Sequence, residues 1–144
     1  MGVILDTSIW VAVERGRLTP AEVEKVTGKE PVYLSPITIA ELEYGVQRAP
    51  DSHSRMKRQA ALTRVRSKPC LTMDSITGEL VGQVLAKLDA SGKATQHRLH
   101  DIWMACQALQ HNMGLLTLNG RDFKDIPGLR LLEIKTGRIS VTGN

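Results

Sequence analysis

Short apolar runs alternating with helix-compatible stretches predict an α/β fold on a central, mainly parallel sheet. Val3-Ile4-Leu5 runs without polar interruption and reads as a strand buried on both faces, as strands of parallel sheets are. Asp6, Thr7 and Ser8 end that run, and helix-compatible sequence begins at Ile9-Trp10. The same order of strand then helix returns at Val32-Tyr33-Leu34 and at Pro69–Met73, and Leu115–Leu118 is a further strand. In open α/β sheets ligands sit at the carboxyl ends of strands, so Asp6 stands where a charge can do chemistry. An Asp at a strand-to-helix turn can equally do no more than cap the helix that follows.

Bulk properties fit one soluble domain. The 144 residues suffice for a single real core, and 42% hydrophobic with 24% charged residues is ordinary globular composition. Aromatics at 3% leave an aliphatic core and argue against a base-stacking platform for single strands. Net charge is +4, with a pI near 9.3. If four of the 15 acids face inward around a metal, 19 basic groups meet 11 acidic ones elsewhere, a surplus of eight. An acidic pocket in a basic surface suits a polyanion held for metal-assisted cleavage, whereas a basic surface alone need only aid solubility. Cys70 and Cys106 match no metal spacing, and both are expected as small buried side chains in a reducing compartment. The short apolar start lacks the basic flank of a signal peptide, and no run reaches the roughly 20 apolar residues of a membrane span. The expected location is cytoplasmic.

The elements follow in order. Ile9–Glu14 is a short helix stopping near Gly16, and Thr19-Pro20-Ala21-Glu22 opens another with Thr19 as N-cap and Glu22 as capping-box acid. Ser35-Pro36 starts a third after the Val32–Leu34 strand. Ile37, Ala40 and Tyr44 share one face of it and Ile39, Leu42 and Val46 another, so it should pack on two sides. Glu41 falls beside Ile37 and Tyr44, an odd place for a free carboxylate. A Thr38–Glu41 capping box would explain it, but Pro36 sets the helix start earlier and favours Glu41 as an inward functional acid. His53–Lys68 is a basic, weakly amphipathic helix. It can be an RNA-facing arm, a surface for an acidic partner, or simply a solvated face.

Pro69–Met73 reads as a third strand, and Asp74 or Ser75 caps a long helix with Ile76, Leu80, Val84 and Leu88 as its stripe, widened by Val81 and Leu85. Ser91-Gly92 closes it. Ile102, Cys106, Leu109 and Met113 form the stripe of the next helix, with Asp101 in its first turn, where the helix dipole favours an acid even without function. Leu115–Leu118 is a strand whose carboxyl end carries Asn119-Gly120-Arg121-Asp122-Phe123. Leu129–Ile134 is the last strand, and the tail from Lys135 lacks a core pattern and should be loose. One domain over residues 1–134 and a tail over 135–144 are expected.

Asp6, Glu41, Asp101 and Asp122 thus come from four elements, each near a strand end or helix start. Carboxylates crowded into one site raise one another's pKa, and a hard divalent cation resolves the conflict. Mg²⁺ or Mn²⁺ accepts oxygen ligands and serves phosphodiester hydrolysis.

LDTS at Leu5–Ser8, SPITIAELEYGV at Ser35–Val46, HDIWMACQAL at His100–Leu109 and TLNGRDF at Thr117–Phe123 resemble the PIN-domain ribonucleases. Within these, the chain is most similar to the VapC toxins of bacterial toxin–antitoxin pairs, with motifs in family order across nearly its whole length. The resemblance implies a three-layer α/β/α sandwich and metal-dependent hydrolysis of RNA by water. It implies Asp6 and Asp101 as principal Mg²⁺ ligands, with Mn²⁺ as a substitute, and Glu41 completing the acidic cluster. Asp122 or Asn119 fills the fourth corner. Thr7 or Thr117 holds water or a ligand, and Arg98, Arg121 and Lys124 are candidate phosphate contacts. It further implies a homodimer, a cognate VapB-like antitoxin whose tail occupies the site, and a structured RNA such as a tRNA as target.

Two rivals compete. A phosphatase of the haloacid-dehalogenase type also begins with a strand ending in Asp, but needs a second Asp two residues on, where Ser8 stands. A non-catalytic nucleic-acid-binding or scaffold module would use the acids as caps and surface charges.

Overall fold

A computed structural model describes residues 1–134 of the chain, so the tail expected over 135–144 lies outside the described residues. The chain runs β1 (Val3–Leu5), α1 (Thr7–Glu14), α2 (Pro20–Thr27), β2 (Val32–Tyr33), α3 (Pro36–Gln47) and α4 (Ser52–Arg66). It continues through α5 (Ser75–Ala90), a 3-10 turn at Gln96–Arg98, α6 (Leu99–Gln110), β3 (Gly114–Thr117), a second 3-10 turn at Gly120–Asp122 and β4 (Arg130–Glu133). The four strands form one wholly parallel sheet in the order β2-β1-β3-β4. Ile4 pairs with Leu115 and Leu5 with Leu116, while Leu115 and Leu116 pair with Leu131 and Leu132.

Alternation along these strands divides the interior into two cores. Ile4 and Leu115 point into one, beneath α5 and α6, where Val81, Val84, Leu88, Ile102 and Cys106 are buried. Val3, Leu5 and Leu116 point into the other, against Ile9 and Trp10 of α1, Val23 of α2 and Val65 of α4. Helices therefore cover both faces of the sheet, and the result is the expected three-layer α/β/α sandwich. α3 contributes Ile37 to the first core and Ile39 and Leu42 to the second. Packing on two sides is thus real, but Ala40 and Tyr44 do not share in it. Tyr44 is 62% exposed, with the Arg48 guanidinium over its ring.

Most helix starts follow the local chemistry of the sequence. Thr19 and Glu22 form a reciprocal capping box, Ser35 accepts from the Ile37 amide, and the Asp51 side chain caps α4. Asp74, rather than Ser75, caps α5 in a box with Thr77. That box draws Thr77 inward and leaves Ile76, the expected start of the stripe, more than half exposed. Gln110 ends α6, with Asn112 in the left-handed region at φ 53°, so Met113 lies beyond the helix.

The strand expected over Pro69–Met73 reduces to one bridge, Leu34 with Cys70, held by the Leu34 amide on the Pro69 carbonyl and the Leu71 amide on the Leu34 carbonyl. This bridge lies at the open edge beyond β2, and Cys70 is exposed there, contrary to expectation. Cys106 is buried in the core, where desolvation pushes its thiol up to about 11. No described helix is long and apolar enough to cross a membrane.

Candidate active site

A parallel sheet gathers its carboxyl ends on one edge, and here β1 and β3 deliver Asp6 and Thr117 side by side. Asp6 is 6% exposed. The Thr7 amide donates to its Oδ1 at 2.8 Å, and the hydroxyls of Ser8 and Thr117 donate to Oδ2 at 2.9 and 2.7 Å. Burial raises the Asp6 pKa above its ordinary value, these hydrogen bonds oppose the rise, and the Glu41 charge adds to it. Asp6 is also the N-cap of α1, so capping and site placement coincide in one side chain.

Glu41 reaches the same edge from α3. Its Oε1 accepts from the Thr7 hydroxyl at 2.5 Å, and Thr7 in turn meets the buried Thr38 hydroxyl at 2.9 Å. The Thr38–Glu41 capping box is absent, because α3 already starts at Pro36 and Thr38 bonds across to α1 instead. His100 brings Nδ1 to 3.6 Å from Glu41 Oε2.

Asp101 stands in the first turn of α6, half buried, and its carboxyl is pushed up from 3.8 to about 6. Burial is the largest cause, followed by the charges of Asp6, Asp122 and Glu41. The charges of the other three acids thus all reach Asp101, and that of Glu41 also reaches Asp6. Asp122 ends the 3-10 turn after β3, while Asn119 is exposed at its start and donates its amide N–H to Thr117 Oγ1.

Arg98 departs from expectation. Its guanidinium is buried and committed, donating to both Asp125 carboxylate oxygens and to the Asp122 carbonyl. A side chain so engaged holds the Asp122 turn in place and is not available to a phosphate. Arg121 and Lys124 are exposed on the same segment. Sequence reasoning missed Ser8, Thr38 and Asp125. Hydroxyls two residues beyond Asp6 and three before Glu41 give no signal until the fold juxtaposes α1, α3 and β3. Glu133, at the end of β4, also lies here, with its carboxylate packed against the bare Cα of Gly120.

Among the described residues no group of three or more His, Cys, Asp or Glu side chains is arranged to hold a metal ion as it stands. The donor chemistry nevertheless fits a hard cation. Four carboxylates supply only oxygen ligands, and the raised Asp101 pKa records a concentration of negative charge that a divalent ion would neutralise. Asp6, Asp101, Glu41 and Asp122 are the oxygen donors expected from the sequence, and as they stand they do not converge into a ready metal site.

Without metal, the burial of Asp101 and the charges around it make stability depend on pH. Asp101 binds its proton more tightly folded than unfolded, so between pH 3.8 and about 6 the folded chain carries the extra proton. Stability then falls as pH rises through that window and stays reduced above it. Asp74 and Asp125, whose carboxyls are lowered by hydrogen bonds, titrate below it. In EDTA, the melting temperature should fall between pH about 4 and about 7, and Asp101→Asn should flatten the slope. A rising profile over that range would contradict the site geometry.

A groove of about 910 Å³ leads away from Thr7 and Glu41 between α1, α3 and α4. Trp10, Leu42 and Val65 are among its apolar walls, Arg15, Lys57 and Arg58 bring positive charge, and Arg64 is paired with Glu14 on the same lining. The basic helix expected over His53–Lys68 therefore forms one side of it. A second depression, of about 400 Å³, lies against Glu41 and Asp101.

Comparison with known proteins agrees with this geometry. The profile of the PIN domain matches residues 3–129. Ribonuclease VapC1 of Rickettsia felis is 33% identical over 94% of this chain and 98% of its own. Among solved structures, VapBC2 from Rickettsia felis bound to a DNA fragment superposes with a TM-score of 0.80, at 24% identity over 94% of this chain and 100% of that one. VapBC-5 of Mycobacterium tuberculosis, a member of the VapBC family of toxin–antitoxin systems, gives 0.73 at 25% identity over 93% and 98%. The profile match and the full-length similarity together show that the chain belongs to the PIN-domain family, in its VapC branch.

Proposed function

We propose that this protein is a metal-dependent endoribonuclease that hydrolyses RNA phosphodiester bonds, acting as the toxin of a toxin–antitoxin pair. The observation that carries the reading is the placing of Asp6, Glu41 and Asp122 close enough to Asp101, at the carboxyl edge of the sheet, for their charges to add to burial in raising its pKa. Asp6 and Asp101 would hold Mg²⁺, or Mn²⁺ in its place, with Glu41 and Asp122 completing the cluster. When bound, the ion supplies Lewis-acid stabilisation of the negative charge that develops on the phosphate. The chain's own contribution is preorganisation. Ser8 and Thr117 fix the Asp6 carboxylate, Thr7 fixes Glu41, and Arg98 anchors the turn that carries Asp122. Arg121 and Lys124, exposed beside Asp122, meet the RNA backbone.

The target is a structured RNA such as a tRNA, and the protein is restrained by a VapB-like antitoxin. The VapBC complexes among its structural neighbours support the partner. The groove beside Glu41 supports a tail with apolar and acidic side chains as the part that docks. The open Ala40 and Tyr44 positions on α3 support a homodimer.

The experiment is incubation of total bacterial RNA with the purified, antitoxin-free protein and Mg²⁺ or Mn²⁺, beside an EDTA control and the Asp101→Asn variant. Discrete fragments are expected that vanish in both controls, and mapped ends name the target. Absence of fragments under every metal, with the protein folded, would turn the reading toward a binding module.

A further inference from the structure

The smaller depression is walled by Glu41 and Asp101 on one side and by Gln96, His97, Leu99 and His100 on the other. Two of its six lining residues are site carboxylates, so its occupant abuts the position where a phosphodiester is held. The other four come from one short stretch, the 3-10 turn and the start of α6. Among the described residues no lysine or arginine lines it, and two carboxylates do, which disfavours a phosphate group. What it offers is planar, apolar and amide surface. His97 and His100 are exposed imidazoles, Leu99 is 41% exposed, and the Gln96 amide both donates and accepts.

The rest of the molecule sharpens this. Trp10 and Phe123 are buried, Tyr33 and Trp103 pack on the core, and Tyr44 lies under Arg48. Among the described residues the two imidazoles are the rings that line this depression. An exposed leucine between them provides the apolar floor on which a base can rest. His100 stands beside Glu41, with 3.6 Å between Nδ1 and Oε2.

We propose that this depression is a nucleobase subsite, in which an unpaired RNA base lies on Leu99 between His97 and His100 while Gln96 reads its edge. Its place next to the scissile bond rests on the ribonuclease reading and deepens it. The substrate is then RNA presented as a single-stranded loop or end, with a base preference at one position beside the cut.

The test has two arms on the intact chain. In the first, short single-stranded RNAs carrying 2-aminopurine are titrated with Asp6→Asn protein in Mg²⁺, a background that leaves all six lining residues in place. Fluorescence quenching is expected, and adding His97→Ala, Leu99→Ala or His100→Ala should weaken binding about tenfold, with His100→Phe restoring it. In the second arm the same substitutions in otherwise wild-type protein should raise KM more than they lower kcat. Gln96→Ala should flatten the base preference beside the cut in a random RNA pool. Quenching, KM and preference all unchanged would overturn the subsite. Cleavage by wild type with no such dependence removes the subsite alone. Histidine-dependent quenching without any cleavage retains the base subsite and removes the ribonuclease reading.

Discussion

Asp6→Asn is expected to lower RNA cleavage on the order of 10³-fold, the loss of several kcal/mol of charge stabilisation, while the protein stays folded. Asparagine caps helices as well as aspartate does, so α1 keeps its start. The Ser8 and Thr117 hydroxyls can turn to accept from an amide where they now donate to a carboxylate. Replacing a buried carboxylate whose pKa is raised also removes a desolvated charge. The variant should therefore melt no lower than wild type in EDTA. Steady-state cleavage and thermal unfolding on the same preparation check this, and full activity would exclude Asp6 from the machinery.

Arg98→Met should be the most destabilising change near the site, costing about 2–3 kcal/mol of a domain's typical 5–15. Methionine approximates the stem of the side chain but leaves the Asp125 carboxylate and the Asp122 carbonyl without their donors. Asp125 is a quarter exposed, which places the cost toward the low end for a broken ion pair. Urea unfolding measures it. The sign against pH is opposite to that of Asp101. Arg98 holds the Asp125 carboxyl below its ordinary value, so this stabilisation is present above pH 3.8 and is lost as pH falls through the lowered value. Activity should fall as well, because the Asp122 turn loses its anchor. Unchanged stability with weakened RNA binding would instead return Arg98 to the role of a phosphate contact.

The fold was legible where local chemistry determines structure. Val3-Ile4-Leu5 followed by Asp6 announced a buried parallel strand, and Thr19-Pro20-Ala21-Glu22 announced a capped helix. Pro69–Met73 misled because its apolar content serves an edge bridge and the packing of Leu71, not a ladder. Cys70 misled for the same reason. Asp6 and Asp101 could be placed from local pattern, since one follows a strand and the other opens a helix, whereas Glu41 lies well inside α3 and was marked only by its odd place beside Ile37 and Tyr44. The supports of these acids were not legible, because the bonds from Thr38 to Thr7 and from Thr117 to Asp6 join residues 31 and 111 positions apart. Arg98 looked free because its partner Asp125 lies 27 residues on, across a turn that local pattern does not place.

The strand order also bears on biosynthesis. β1 is made first, yet its neighbour β3 does not exist until residues 114–117 have been translated. Asp6 and Glu41 leave the ribosome without Asp101 and Asp122, and Thr117, which seats Asp6, comes equally late. A nascent chain therefore holds no complete acid cluster until Asp122 has been added. The proposed nuclease site would be completed in one step, when β3 and the turn after it join a strand made long before them.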